Sequence, residues 1–159
     1  MKTFDISKLG FSEYKKQLRA AIVEHQPCSS ALNEYDNAKD EQELMDVCYW
    51  YLGWLFWYEI NPGRLPEKIS GSLNLSGCTL SEGLVLPKKI SGSLDLSGCT
   101  LPKDLVLPKE VGGWLDLRSC TLHEGLVLPQ QIEGSIYLKS CTLPDGFVIP
   151  ENLKNKIVR

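Results

Sequence analysis

The sequence predicts an α+β protein: a solenoid of about four short units built on parallel β-strands, with a helical N-terminal cap. Three observations carry this. Pro66, Pro87, Pro108, Pro129 and Pro150 stand at an unvarying 21-residue interval, and Cys78, Cys99, Cys120 and Cys141 keep the same interval. Within each interval a short stretch alternates polar and apolar residues, the two-residue period of a strand. The residues ahead of the first repeat space their apolar side chains as helices do. A fixed short period of this kind is the signature of a solenoid, in which each unit buries its apolar side against its neighbours.

The predicted cap covers residues 1–63. Tyr14, Leu18, Ala21, Ile22 and His25 fall close to one face of a helix begun near Ser12, and Pro27 stops it. A second short helix is expected through "SALNEYDN". Asp40, with Glu43 three residues on, has the spacing of a capping box for a third helix over about 41–60. That helix carries two apolar stripes: Leu44, Cys48, Tyr51, Leu55 and Tyr58, and Val47, Trp50, Trp54 and Trp57. A helix apolar this far round needs cover on more than one side. One stripe is expected to meet the first two helices and the other to close the open end of the first repeat.

The solenoid is expected over residues 64–150, with 151–159 as a C-terminal stub. In "SLNL", "SLDL", "WLDL" and "SIYL", the pairs Leu73/Leu75, Leu94/Leu96, Leu115/Leu117 and Ile136/Leu138 point to the core. Gly71, Gly92, Gly113 and Gly134 precede these strands and suit a tight backbone path. The "LVLP" stretches read as a second short extended piece, at which proline starts a new side of the coil. The cysteines read as a column of buried, reduced thiols, because in-register side chains run parallel and do not converge on a metal.

The outward positions form three columns: Ser72, Ser93, Trp114, Ser135; Asn74, Asp95, Asp116, Tyr137; and Ser76, Ser97, Arg118, Lys139. The first two units offer small polar groups. The last two offer two aromatics and two cations, the composition of a protein-binding hot spot. Trp114, Arg118, Tyr137, Lys139, Asp95 and Asp116 are therefore the candidate partner-binding residues, and the aromatic cap helix around Trp50, Trp54 and Trp57 is the alternative surface. The competing reading is internal. Asp95 with Arg118 and Asp116 with Lys139 are diagonal neighbours that balance charge along the sheet, and Trp114 covers a loop. Stacked Asp95 and Asp116 repel, and in the first reading they await a basic group from a partner.

The pattern L-x-L-x-x-C-x-L resembles the core of a leucine-rich repeat, with Cys where Asn is more usual. The opening "LP" is similar to the LPX-type repeats of bacterial effectors, with one extra residue near "ISGSL". The units are also similar to the "GGSLDLSGCT" repeats of bacterial and phage proteins. The resemblance spans about residues 65–150. It implies a leucine-rich-repeat solenoid and a role in binding and blocking a host or rival protein. An inhibitor of a bacterial defence system, anti-CRISPR-like, is one such role. A self-associating structural repeat protein and a bacterial effector without a catalytic domain are the alternatives.

Composition narrows the classes further. The net charge is −3; residues 1–63 carry 6 Lys/Arg against 10 Asp/Glu, and residues 64–159 carry 11 against 10. Neither half has the basic excess that phosphate binding demands, so nucleic acid is not an expected partner. The longest apolar run, Val47 to Tyr58, is 12 residues, short of the roughly 20 that a membrane span needs. The N-terminus "MKTFDISKLG" has no apolar core of a signal peptide. A cytoplasmic protein is expected, in the host cell if phage-encoded, and monomeric or weakly homo-oligomeric. His25 and His123 lie far apart, no C-x-x-C pair exists, and no nucleophile, base and orienting group come together. The nine residues after Pro150 leave no room for the ubiquitin-ligase domain of some LPX effectors. No enzymatic activity, metal or cofactor is expected, and His123 reads as a solvated turn residue.

Overall fold

The computed structural model describes residues 2–3, 9–26, 29–40, 43–44, 55, 60–61, 65 and 67–159. The chain divides into two compact units, Met1–Pro66 and Glu67–Arg159.

The N-terminal unit contains β1 (Lys2–Thr3), α1 (Phe11–Val23), α2 (Ser29–Asn37) and β2 (Ile60–Asn61), with β1 and β2 paired in parallel. Tyr14, Leu18, Ala21 and Ile22 form the buried face of α1. His25, expected on that face, lies past the helix end and is half-buried. The helix stops before Pro27, because Gln26 takes φ 50° and its N–H turns back to the Val23 carbonyl at 3.2 Å. A polar clasp joins α1 to α2. Tyr35 Oη donates to the Lys15 carbonyl at 2.7 Å, and Arg19 holds both oxygens of Asp36 at 2.5 and 2.7 Å.

The expected capping box forms. Glu43 N–H donates to Asp40 Oδ1 at 2.9 Å, while the Glu43 carboxylate reaches back to Lys39 N–H at 2.8 Å, one residue earlier than the usual partner. Leu44 and Leu55, expected on one stripe of the third helix, are each helical and buried. Cys28, the rest of that stripe and the whole stripe of Val47, Trp50, Trp54 and Trp57 lie outside the described residues. Among the described residues no helix is long and apolar enough to cross a membrane.

Glu67–Arg159 is a β-solenoid of about four coils. Its first parallel sheet runs β4 (Leu73–Asn74), β6 (Leu94–Asp95), β8 (Leu115–Asp116), β10 (Ile136–Tyr137) and β11 (Ile157–Val158). Every partner is 21 residues away, as in Leu73↔Leu94 and Leu94↔Leu115. The inward pairs from Leu73/Leu75 to Ile136/Leu138 are at most 5% exposed, so the two-residue alternation is the burial pattern.

A second parallel sheet runs β3 (Lys68–Ile69), β5 (Lys89–Ile90), β7 (Glu110–Val111) and β9 (Gln131–Ile132). It forms on the side of the coil expected to begin at the proline, as a paired ladder where only extended or turn structure was expected. Proline has no N–H to donate, and the ladder begins just beyond it. In "LVLP" itself the leucines are buried and the valines exposed.

Coil stacking explains the glycine column. A Cβ on Gly134 would lie 2.7–2.9 Å from the Gly113 carbonyl and Trp114 N, and one on Gly92 would lie 2.8 Å from the Gly71 carbonyl. The requirement is close approach of two backbones.

The C-terminal residues 151–159 do more than end the chain. A 3₁₀ helix, Glu151–Lys156, places Leu153 in the core column of Ile132, and β11 pairs Ile157 with Ile136. Lys156 Nζ donates to the Ile132 and Glu133 carbonyls at the last edge of the second sheet. This half-coil blunts an edge that would otherwise offer a template for further strand pairing.

Candidate functional site

β4, β6, β8 and β10 of the first sheet each run into the same turn. The carbonyls of Leu75, Leu96, Leu117 and Leu138 accept the N–H groups of Cys78, Cys99, Cys120 and Cys141 at 3.0–3.2 Å. The residue before each cysteine has positive φ, as a type II turn requires. Gly77 and Gly98 supply it in the first two coils. Ser119 and Ser140, at φ 59° and 60°, supply it in the last two.

In the first three coils the side chain at the strand's outward position braces that turn. Asn74 Oδ1 accepts the Ser76 N–H and hydroxyl, both at 2.9 Å, and Asp95 Oδ1 accepts the Ser97 N–H and hydroxyl at 2.9 and 2.7 Å. Asp116 Oδ1 accepts the Arg118 N–H at 2.9 Å. Asx side chains two residues before a turn N–H commonly do this. Asp95 and Asp116 thus have an internal reason to stack.

In the third coil a guanidinium stands in for the serine hydroxyl. Arg118 Nε lies 3.0 and 2.8 Å from the two Asp116 oxygens, and Nη2 lies 2.5 Å from Oδ2. The hydrogen bond that Arg118 donates to Asp116, then the Asp116 charge, raises the Arg118 pKa further. The Asp116 side chain is 3% exposed and that of Arg118 52%. This corrects two expectations. Asp116 is buried beneath its arginine and is not presented to a partner. The ion pair forms within one coil, not along the diagonals from Asp95 to Arg118 and from Asp116 to Lys139. Asp95 is half-buried, and Lys139 is exposed and makes no ion pair among the described residues.

The neighbouring column shows what Trp114 displaces. Ser72 Oγ accepts the Ser93 N–H at 2.9 Å, and Ser93 Oγ accepts the Trp114 N–H at 3.1 Å. These hydroxyls join coil to coil. Trp114 has no oxygen to offer the Ser135 N–H, so the serine ladder stops there. Its indole is instead edge-on to Tyr137 at 6.4 Å and 78°, and the Arg118 guanidinium carbon lies 5.7 Å from the centre of the Tyr137 ring. Trp114 keeps 39% of its surface exposed. Three candidate residues from two coils therefore form one patch, with Asp116 as its buried anchor and Lys139 further along the same face.

The cysteine column is structural. Cys99, Cys120 and Cys141 Sγ donate to the carbonyls of Leu75, Leu96 and Leu117 in the preceding coil at 2.9, 3.0 and 2.7 Å. All four thiols are free, and Cys141 alone is half-buried. Burial pushes Cys99 up to about 12 and Cys120 to about 11, the reverse of an activated thiolate. His123 is also less exposed than expected. Its Nδ1 lies 3.1 Å from the Glu124 carbonyl, and its Nε2 is buried without a hydrogen-bond partner.

A second recurring feature lies away from the strand face. Val85, Val106, Val127 and Val148 keep the 21-residue interval and are 63–78% exposed. Alternation in "LVLP", with one residue between two core leucines, is the signal for it in the sequence.

No family model, no curated protein and no solved structure matches this chain.

Proposed function

We propose that this protein is a non-catalytic binding module that engages another protein through the Trp114–Arg118–Tyr137 patch. The carrying observation is Trp114. It gives up an inter-coil hydrogen bond that the two preceding coils make and leaves an indole partly in water. A neutral inter-coil hydrogen bond contributes about 1 kcal/mol, whereas an aromatic anchor in an interface contributes about 2 kcal/mol or more. The exchange favours binding over stability. Arg118 is preorganised by Asp116, which lowers the entropic cost of engaging a partner.

The chemistry of such a module is steric, because occupying a partner's surface requires no bond-making group. The repeat resemblance motivates a narrower reading: a leucine-rich-repeat inhibitor, acting in the cytoplasm, whose partner is a component of a bacterial defence system. The test is capture of partners from the native host with the parent protein and with Trp114→Ser side by side. A partner retained by the parent and lost about thirtyfold by the variant supports the reading. Equal retention by both sinks it.

A further inference from the structure

The second recurring surface is the valine column. Val85, Val106, Val127 and Val148 stand in successive coils at 63, 75, 71 and 78% exposure. Coils repeat at about 4.8 Å, so the four side chains make one continuous strip about 14 Å long. An exposed apolar strip of a few hundred Å2 is about the size of the largest patch on a typical monomer, and such patches are often functional. Beside Val127 and Val148 the third and fourth coils leave an open cleft of about 530 Å3, walled by Phe147 and Pro144.

The occupant is indicated by the margins of the strip. Three residues before each valine stand Glu82, Lys103, Glu124 and Asp145. Three residues after stand Lys88, Lys109, Gln130 and Glu151. An evenly spaced column superposes on itself when reversed, so a second copy can lie face to face with Val106 on Val127 and Val85 on Val148. In that antiparallel arrangement Lys103 meets the copy's Glu124 and Lys109 meets its Gln130; Lys88 and the copy's Glu151 also come together, each already paired within its own chain, with Glu67 at 2.8 Å and Lys154 at 2.6 Å. By two-fold symmetry each opposite-charge pairing occurs twice. Only Glu82 and Asp145 meet as like charges, at the outer ends where water and salt screen them. The parallel arrangement sets Lys103 against Lys109 and Asp145 against Glu151, and keeps just one favourable pairing.

We infer that the valine column is a self-complementary interface through which two copies of this chain pair antiparallel. The contact, with its charged margins, is at the low end of specific interfaces, roughly 1,200 Å2 in total, so the association is expected to be micromolar. It leaves the Trp114 patch on another side of each coil.

Sedimentation equilibrium over micromolar to near-millimolar protein tests this, with melting curves to show that each variant is folded. The parent is expected to dimerise, and Val106→Glu and Val127→Glu are each expected to weaken dimerisation at least tenfold. Lys103→Glu and Glu124→Lys should each weaken it several-fold, and the double charge swap should restore it. A parent that stays monomeric overturns the inference, as does a dimer indifferent to both valine substitutions. A dimer broken by the valine substitutions but not rescued by the charge swap overturns the antiparallel register. Trp114→Ser is expected to leave the dimer unchanged.

Discussion

Arg118 closes its guanidinium on Asp116, two residues earlier in the same coil, with contacts of 2.5–3.0 Å. One carboxylate thereby holds both the backbone of a turn and the cation that lies beside Tyr137. The two tasks can be separated by substitution. Asp116→Asn keeps an oxygen for the Arg118 N–H but loses the ion pair, whereas Asp116→Ala loses both. Asp116→Ala is expected to lower stability by about 1–3 kcal/mol, the cost of leaving a buried turn N–H unmet, and Asp116→Asn by less. Denaturant melts of both variants check this. Equal losses would show that the turn bond contributes nothing.

The stability side of Trp114→Ser is a separate expectation. The change removes an edge-to-face contact of about 0.5–1.5 kcal/mol and restores a hydroxyl that can accept the Ser135 N–H, about 1 kcal/mol. The two nearly cancel, so the melting point should move little. A large drop would mean that the indole is chiefly a packing residue, and the binding proposal would lose its basis.

Ser119 and Ser140 occupy a left-handed conformation that Gly77 and Gly98 fill in the earlier coils. That conformation costs a non-glycine residue about 1–2 kcal/mol, partly offset by the greater freedom of glycine in the unfolded chain. Ser119→Gly and Ser140→Gly are each expected to stabilise by about 0.5–1 kcal/mol. The reverse change, Gly98→Ser, should destabilise by a similar amount. Its new Cβ has room, 3.9 Å from Gly77 Cα, so torsion alone decides the sign.

Gly134→Ala should behave quite differently. Its Cβ would meet three backbone atoms at 2.7–2.9 Å, and none can swing aside as a side chain would. A loss of about 3 kcal/mol is expected, in the range of severe overpacking, with the fourth coil loosening first in hydrogen exchange. A variant as stable as the parent would show that the coils can separate at no cost.

The thiols make stability fall at high pH. Cys99 and Cys120 titrate near 12 and 11 when folded, because of burial, against an ordinary value near 8.5 when unfolded. Their contribution is complete below about pH 8.5. It declines as pH rises towards 11–12, because the unfolded chain releases its protons first. Urea midpoints measured from pH 7 to 10.5 should fall, and Cys99→Ala should flatten the fall. At neutral pH a thiol reagent should label Cys99 and Cys120 only as fast as the coils open.

The 21-residue period and the polar–apolar alternation by themselves determined the number of coils, the first sheet, its register, the buried leucines and the thiol column. Each follows from a rule local to one unit and copied along the chain. The same period exposed Trp114 and Arg118 as departures from the pattern. Only the tertiary structure decided which side chains those departures meet. The spacing paired Asp116 with Lys139 and left Arg118 to Asp95, whereas in the fold Asp116 takes Arg118. What separates the two pairings is that the Asx-braced turn carries the arginine back over its own coil and buries the carboxylate, which is a matter of three-dimensional path and not of spacing. The second sheet eluded the pattern because proline sets where pairing cannot begin but not where it does. The half-coil at 151–159 lacks the repeat's signature residues. Leu153 and Ile157 reveal their place only once the preceding coil offers them its core.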